Sequence, residues 1–482
     1  MRVSEYTPTI GIETHVQLKT KTKLFAAVDN DARQAPPNTL ISHICVGMPG
    51  ALPVLNEAAI ELCARAAVAL GTEPQKFSYF ERKHYFYPDL PKGYQITQYE
   101  TPIIAGGHLH IEVNGTKKCV RIERANLEED AGKNTHPAGA DYSLVDFNRA
   151  GTPLLEIVSM PDIHSAAEAK AYARELWLAM KYAGVTDGDL YHGHVRFDVN
   201  VSVSENPDRL GIRSEIKNLN SFRSVEAAVD YEIKRQTELQ KKGQPVVQET
   251  RGWDEAKQKS LAQRSKEEAQ DYRYMPEPDI PPIELDDDYI KKTKTKMPSL
   301  PNDLRMKFEK LDLPQGLIES LLDNPQVSSF MSRIMANKYI SIKDARRIAN
   351  WLAIDVQSLV NLGKISWDTA KLSEKALTMV SHMLDDNKIN STTAKNIVFE
   401  IVVVGGDPNE IARIRDWLQV SDEAEIEKIV AEVIAENPKP AQDVKNGELK
   451  AIGFLVGQVM AKSKGQANPE IAKKLIKKQL GL

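Results

Sequence analysis

The 482-residue sequence contains no apolar run near the roughly 20 residues that a membrane-spanning helix requires. It has only three cysteines, Cys45, Cys63 and Cys119, and none belongs to a paired C-x-x-C motif. So few thiols argue against a disulfide framework and indicate a reducing compartment. The segment Met1–Tyr6 has neither the apolar core of a signal peptide nor an Arg- and Ser-rich transit pattern. We therefore expect a cytoplasmic protein.

Motifs of several common enzyme classes are also absent. There is no G-x-x-x-x-G-K-[ST] loop, and the Gly-Lys pairs at 132–133 and 363–364 do not complete one. There is no G-x-S-x-G elbow, and no base partner is evident for a cysteine nucleophile. The formal net charge of −4 excludes a polycation. Any nucleic-acid binding must therefore come from local basic patches.

Two stretches, 10–19 and 195–204, alternate polar and apolar residues with period two, which is typical of half-buried strands. Their polar faces carry Glu13, His15, Gln17 and Lys19 on the first stretch, and Arg196, Asp198 and Asn200 on the second. Ordinary exposed strand faces favour Thr, Lys and scattered charges. These two rows instead indicate the walls of a polar site.

The chain length and a composition of 41% hydrophobic and 27% charged residues predict a soluble globular protein of two to four domains. The first part is strand-rich with inserted helices, and the remainder is helical almost throughout, so the fold class is α+β. The Pro-rich segment 272–282 cannot be regular helix. Because a lysine-rich run, 291–296, follows it, we place a domain boundary at about residue 295.

Individual helices have local signals. Ser165 and Glu168 form a capping box, and Gly184 ends the helix that they begin. The other predicted helical features are a helix from about 225 to 242, an apolar stripe over 426–434, a break at 437–440, a helix resuming at about Gly447, and a final amphipathic helix over 468–482 with Lys473, Lys474, Lys477 and Lys478.

Polar residues beside the strand patterns form four groups: Glu13 with His15, Glu128 with Glu129, Asp198 with Asn200, and Glu215 with Lys217 and Asn218. Converging strands would bring several carboxylates together, and two of them about 4 Å apart repel by about 4 kcal/mol at an effective dielectric of about 20. Such a cluster needs protonation or a bound cation, and oxygen ligands favour Mg²⁺, or Mn²⁺ where a histidine joins. The alternative for residues 128–130 is a solvated charge run at a turn.

Three further groups have open interpretations. Residues 82–95 mix cations and aromatics, which suits stacking on a base or sugar, but an ordinary amphipathic edge fits equally well. Residues 149–153 form a turn in which Gly151 permits close approach, either to a ligand or for purely structural reasons. For the C-terminal lysines, a solvated helix face is the favoured interpretation.

Taken together, several motifs resemble those of the GatB/GatE family, the B component of tRNA-dependent amidotransferases, over nearly the whole chain. The motifs are IGIETHVQL at 10–18, MPGALPVLN at 48–56, RKHYFYPDLPKGYQI at 82–96, LEEDAGK at 127–133, VDFNRAGTPLLEIVS at 145–159, DYRYMPEPD at 271–279, FLVGQVM at 454–460 and GQANP at 465–469.

This resemblance implies a heterotrimer in which the GatB component phosphorylates the side chain of Glu-tRNA(Gln) or Asp-tRNA(Asn) with ATP. An amidase subunit (GatA) supplies the ammonia that forms the amide, and a small subunit (GatC) wraps the two. It implies a catalytic, cradle-shaped domain at 1–295, a helical domain at 296–405, and a YqeY-like, tRNA-contacting tail at 406–482. By motif position, the residues expected to bind Mg²⁺ and shape the phosphoryl site are Glu13, His15, Glu128, Glu129, Asp198 and Glu215. The residues carried over as substrate or phosphate contacts are Lys83, Tyr85, Asn148, Arg149, Asn200, Lys217 and Asn218.

The sequence departs from the family pattern in two places. Many members carry a four-cysteine zinc knuckle, whose positions here are Ala26, Val28, Ser42 and Cys45. One thiol cannot hold a structural zinc ion, so we expect none. In addition, the segment 191–194 places His192 and His194 near the expected site, either as metal ligands or as loop residues.

Two other interpretations stay open. The chain would be a non-catalytic tRNA-binding module if it had kept the fold without the chemistry, or a standalone ligase if it used free ammonia. These motifs do not distinguish Glu-tRNA from Asp-tRNA as the substrate.

Overall fold

The computed structural model describes residues 6–137, 139–265, 271–419, 423–446, 448, 450–463 and 466–482. It divides into two compact units, Met1–Pro301 and Asn302–Leu482. The strands, all in the first unit, are β1 (Thr7–Gln17), β2 (Phe77–Ser78), β3 (Glu81–His84), β4 (Tyr94–Thr97), β5 (Ile104–Ala105), β6 (His108–Val113), β7 (Thr116–Glu129), β8 (Lys133–Thr135), β9 (Leu144–Asp146), β10 (Pro153–Ser159), β11 (Val195–Ser204), β12 (Ser214–Leu219), β13 (Glu249–Asp254), β14 (Lys259–Ser265), β15 (Met275–Pro276) and β16 (Ile283–Glu284).

The helices of the first unit are α1 (Glu57–Ala69), α2 (Ala166–Tyr182), α3 (Phe222–Lys241) and α4 (Asp287–Thr295). Those that follow are α5 (Pro301–Glu309), α6 (Gln315–Leu322), α7 (Pro325–Ala336), α8 (Ile342–Asn350), α9 (Gln357–Asn361), α10 (Glu374–Asp385), α11 (Ser391–Val404), α12 (Pro408–Ile414), α13 (Glu423–Glu436), α14 (Pro438–Lys445), α15 (Lys450–Lys462) and α16 (Pro469–Leu480), with a π-helical turn at Trp351–Val356. No helix in the described part of the chain has both the length and the apolar content to cross a bilayer.

A nine-stranded sheet organises the first unit, in the order β14-β13-β12-β11-β1-β10-β7-β5, with β6 also paired to β7. Its neighbours are antiparallel except β12 and β13, which are parallel. One face of β1, including Ile10, Ile12 and Val16, is buried in a core that α1, α2 and α3 share. The predicted α+β class, with a mainly antiparallel mixed sheet and an all-helical C-terminal region, is confirmed.

The structure contains the predicted helices, with small differences in their capping contacts and boundaries. The Ser165 side chain accepts a hydrogen bond from the Glu168 N–H, and so begins α2 as a capping box predicts. The Glu168 carboxylate, however, accepts from the N–H of His164 rather than from that of Ser165. The lysine-rich run 291–296 lies largely on α4, a helix of the first unit, which therefore extends to Pro301.

The second unit contains a separate apolar cluster formed by α13 to α16, with Ile426, Val430 and Leu455 among its buried residues. The break predicted at 437–440 is shorter than expected, because α14 begins at Pro438, where a missing N–H is not needed. Helical structure therefore resumes at Pro438 rather than at about Gly447, and the next helix, α15, begins at Lys450. Gly447 itself lies outside the described residues.

Candidate active site

The site is built on the polar face of β1, which pairs with both β10 and β11. Because side chains alternate along a strand, Glu13 and His15 lie opposite the core face of Ile12 and Val16. The β11 pairing sets Asp198 opposite Glu13 and Arg196 opposite His15. The β10 pairing sets Glu156 opposite His15. Three strands that are distant in sequence thus place their charges on one face.

The imidazole of His15 lies at the centre of a group of carboxylates. Its Nε2 atom is 3.7 Å from Glu13 Oε1, 3.8 Å from Glu128 Oε1 and 3.9 Å from Glu156 Oε2. These separations exceed the 2.7 to 3.2 Å of a usual hydrogen bond, which leaves room between the groups. The predicted convergence of Glu13, His15 and Glu128 is therefore seen in the structure.

Burial dominates the electrostatics of this group. It raises the pKa of Glu13 to about 7, with the nearby Glu156 and Asp198 adding to the effect. It also raises the pKa values of Glu128 and Glu156 to about 7, and Lys83 opposes both increases. The pKa of His15 is lowered to about 4, mainly by burial. At neutral pH the imidazole is uncharged, so a nitrogen lone pair is available to a metal.

The residues present fit a divalent cation. One ligand atom each from Glu13, His15 and Glu156 lie within 4.8 Å of one another. Ligands bound at about 2.1 Å in an octahedron lie about 3 Å apart when adjacent and about 4 Å apart when opposite. The two carboxylates suit either Mg²⁺ or Mn²⁺, and the neutral imidazole nitrogen favours Mn²⁺ of the two.

A second group adjoins the first along β11 and β12. Lys217 Nζ lies 3.3 Å from Asp198 Oδ2 and 3.0 Å from Glu215 Oε1. Burial lowers the pKa of Lys217, but these two carboxylates outweigh it and the pKa is raised overall. Asn218 has a φ of 63°, and its N–H donates to Asp198 Oδ1 at 2.8 Å. Asn200 pairs with Glu215 across the strands and shares this face.

Cations and aromatic rings border the carboxylates. Lys83 Nζ lies 4.8 Å from the ring centre of Tyr272 and 5.9 Å from that of Tyr85. Burial lowers the pKa of Lys83, but the charge of Glu128 contributes to a net increase. On the β11 side, Arg196 donates to Asp130 at 3.0 Å. Of the cation-aromatic group predicted from residues 82–95, Lys83 and Tyr85 therefore lie beside the acidic group, whereas Arg82 pairs with Glu277.

Two of the predicted site residues point elsewhere. Glu129 follows Glu128 on β7 and so faces the other way, where it binds Lys92 and accepts from the Ile96 N–H. Asn148 is buried, and its amide accepts from the Leu40 N–H at 2.8 Å and donates to the Pro36 carbonyl at 2.7 Å. Both residues therefore make structural contacts in this fold.

Arg149 contacts Asp130 rather than the carboxylates around His15. Its guanidinium donates to the Gly132 carbonyl at 2.8 Å and pairs with Asp130 at 3.2 Å. The histidines of segment 191–194 also lie outside the carboxylate group: His192 Nδ1 is 2.6 Å from Asp189, and burial lowers the pKa of His194. Their described contacts are those of loop residues.

Sequence reasoning missed Glu156, which completes the three-ligand group. The signal was present, because Glu156 is a single carboxylate in the strand Pro153–Ser159, whose other residues are apolar apart from Ser159. A charge in such a run needs a partner. Its partner could be identified only after the pairing of β10 with β1 was known.

The fold and site define a class: an α+β protein with a polar, cation-compatible face on a mixed sheet, followed by helical regions. The GatB/GatE catalytic domain matches residues 8–291, and the GatB domain matches residues 335–480. The chain therefore belongs to the GatB/GatE family.

Curated relatives match along their full length. The GatB component of the aspartyl/glutamyl-tRNA(Asn/Gln) amidotransferase of Thermotoga maritima is 42% identical, with 98% of this chain and 99% of the relative covered. The protein of the same name from Geobacillus kaustophilus is 43% identical, with 98% of each chain covered. That of Trichodesmium erythraeum is 42% identical over 99% of this chain and 98% of the relative.

Proposed function

We propose that this chain activates the side-chain carboxylate of an aminoacyl-tRNA, Glu-tRNA(Gln) or Asp-tRNA(Asn), for amide formation. The observation that carries the proposal is the Glu13, His15 and Glu156 group, which lies on a partly buried sheet face beside lysine and arginine side chains. The names of the full-length relatives supply the substrate class. The absence of a nucleophile motif agrees with a reaction that needs positioning and charge stabilisation.

The proposed chemistry has two balanced steps. A carboxylate oxygen of the aminoacyl side chain attacks the γ-phosphorus of ATP, a P–O bond to ADP breaks, and an acyl phosphate forms. Ammonia then attacks the acyl carbon, the C–O bond to phosphate breaks, and the nitrogen loses a proton to give the amide. Phosphorylation is required because a free carboxylate is a poor electrophile with a poor leaving group.

The side chains have separate proposed roles in these steps. Glu13, His15 and Glu156 would hold Mg²⁺, with Glu128 beside them; when bound, Mg²⁺ supplies charge neutralisation for the phosphate oxygens. Lys83, Arg196 and Lys217 border the group and provide positive charge for the transferred phosphoryl oxygens. Asp198 and Glu215 hold Lys217 in place. Tyr85 and Tyr272 offer rings for stacking on a base or ribose.

The partners follow from the same proposal. An amidase subunit and a small third subunit would complete a heterotrimer in the cytoplasm, with ammonia released from glutamine on the amidase. Residues 1–295 would carry the chemistry, residues 296–405 would form a helical domain, and residues 406–482 would contact tRNA. We propose no structural zinc, because Cys45 is one thiol beside the Ser42 hydroxyl and the Lys23 ammonium, which is not a zinc ligand set.

The test is reconstitution of the chain with the amidase and small subunits. We expect amidated tRNA and ATP hydrolysis that misacylated tRNA stimulates. Asp198→Asn should lower both activities at least about tenfold with tRNA binding retained, because Lys217 loses a buried partner. Asp254→Asn, at the end of β13, is the matched control.

The same assay separates the alternatives. A chain that binds tRNA without stimulated ATP hydrolysis would be a binding module, and the proposal would be wrong. Amide formation from ammonium by the chain alone would instead identify a standalone ligase.

A further inference from the structure

Lys23 is a buried cation whose described partners include no carboxylate. The residue as a whole is 1% exposed. The ammonium donates to the carbonyl oxygens of Leu40 and Ala150, both at 2.7 Å. The Phe147 carbonyl at 3.5 Å and Cys45 Sγ at 3.6 Å complete its surroundings.

A buried charge is unfavourable unless other dipoles replace the lost water. Burial accordingly lowers the pKa of Lys23. The carbonyls that compensate come from two segments distant in sequence, the loop at 40–45 and the turn at 147–151. Because both segments direct carbonyl oxygens at one ammonium, the positive charge holds them together.

The turn at 147–151 leads directly to the site. It carries Arg149, which donates to the Gly132 carbonyl at 2.8 Å and pairs with Asp130 at 3.2 Å. The Gly151 N–H donates to the Asp130 carbonyl at 2.9 Å, so the turn also fixes the backbone of that residue. Asp130 in turn accepts from Arg196 at 3.0 Å, and Arg196 lies opposite His15.

We propose that Lys23 is a positioning residue, an internal ammonium that fixes the turn at 147–151 and, through Arg149 and Asp130, holds Arg196 on the catalytic face. The effect of Lys23 on catalysis rests on the proposed function. The effect of Lys23 on the turn at 147–151 does not, and it can be measured separately on the full chain.

The first test is amide hydrogen exchange in Lys23→Met, which keeps the unbranched shape and most of the side-chain length and removes the charge. The N–H groups of Ala150, Gly151 and Thr152 are all hydrogen-bonded within this region. We expect them to exchange at least about tenfold faster than in the wild type, with α16 unchanged. Lys21→Met, an exposed lysine two residues away, is the control. Equal exchange in both variants would overturn the proposal.

If Lys23→Met does not fold, Lys23→Ala offers a second test. Propylammonium matches the removed atoms and charge, while 1-propanol matches their approximate shape without the charge. Restored folding with propylammonium alone supports the charge role. Equal rescue by both compounds, or by neither, would overturn it.

The second measurement is a double-mutant cycle in the reconstituted enzyme. Lys23→Met and Arg149→Met should each lower kcat for amide formation about tenfold. The double variant should lose no more than the larger single effect, because both act through Asp130 and Arg196. Multiplicative losses would indicate a purely structural role and overturn the proposal. If the wild type itself makes no amide, the proposed function fails, and hydrogen exchange still decides the role of Lys23.

Discussion

At the scale of single residues, the alternation of side chains along a strand decides which carboxylates face the site. Glu128 and Glu129 are adjacent, yet one contacts the His15 group and the other binds Lys92 on the opposite face. The sequence therefore indicated an acidic group, but it could not show which of its carboxylates face the site and which face away. Glu156 was missed for the complementary reason, because one charge in an apolar strand has no visible partner until the sheet order is known.

The role of Glu156 can be tested by metal binding. Glu156→Gln replaces a carboxylate with a weaker, neutral ligand, so we expect the Kd for Mn²⁺ to rise about tenfold or more. Isothermal titration calorimetry on the purified chain measures this directly. Glu123→Gln on β7, whose side chain is 47% exposed, is the control and should leave the Kd unchanged. An unaltered Kd in Glu156→Gln would remove this residue from the ligand set.

The raised pKa of Glu156 predicts a pH dependence of stability in metal-free protein. The folded state keeps a proton on Glu156 up to about pH 7, whereas the unfolded chain releases it near 4.5. Stability from this group is therefore fully present below pH 4.5 and is lost as pH rises to 7. Glu156→Gln lacks this titration, so it should become more stable relative to the wild type across that window. Urea unfolding in EDTA at pH 5 to 8 measures the difference, and a constant difference would contradict the pKa assignment.

At the scale of elements, the alternation in 10–19 and 195–204 predicted β1 and β11 and the face of each. It could not predict that β1 lies between β10 and β11, because that order depends on pairing between segments over 100 residues apart. The register shift between β11 and β12 could not be predicted from the sequence either. At this irregularity in β12, the left-handed Asn218 directs its N–H to Asp198.

This irregularity predicts an unusual substitution pattern. Asn218→Val should destabilise the first unit by about 1–2 kcal/mol, because a β-branched residue is strained at a φ of 63°. Asn218→Gly should retain the geometry and most of the stability, since glycine adopts this conformation freely. Urea unfolding of both variants makes the comparison. Equal losses would show that the backbone conformation is not the determinant.

At the scale of the whole molecule, the carboxylate group of the site and the lysines of α16 belong to different units of the chain. Carboxylates gather on the β1 face of the first unit, and lysines gather on α16 of the second. A net charge of −4 hides this separation. It resolves a conflict of the proposed function, because a cation site needs acids and tRNA phosphates need lysines. Lys464, a further lysine shortly before α16 in the sequence, lies outside the described residues.

The lysines of α16 predict the salt dependence of tRNA binding. Lys473→Ala and Lys477→Ala should each weaken binding and reduce the slope of log K against log salt by about 1, if each neutralises one phosphate. Lys117→Ala on the exposed β6–β7 hairpin is the matched control and should change neither quantity. Filter binding at four salt concentrations provides the slopes. Unchanged slopes would place the tRNA contacts elsewhere.

The central claim is that Glu13, His15 and Glu156 together hold the divalent ion that phosphoryl transfer requires. The most direct measurement is anomalous diffraction from crystals soaked with Mn²⁺ and a non-hydrolysable ATP analogue. The account predicts one manganese peak within about 2.3 Å of a ligand atom from each of these three residues. A manganese peak bound to the analogue but remote from these three side chains would contradict it.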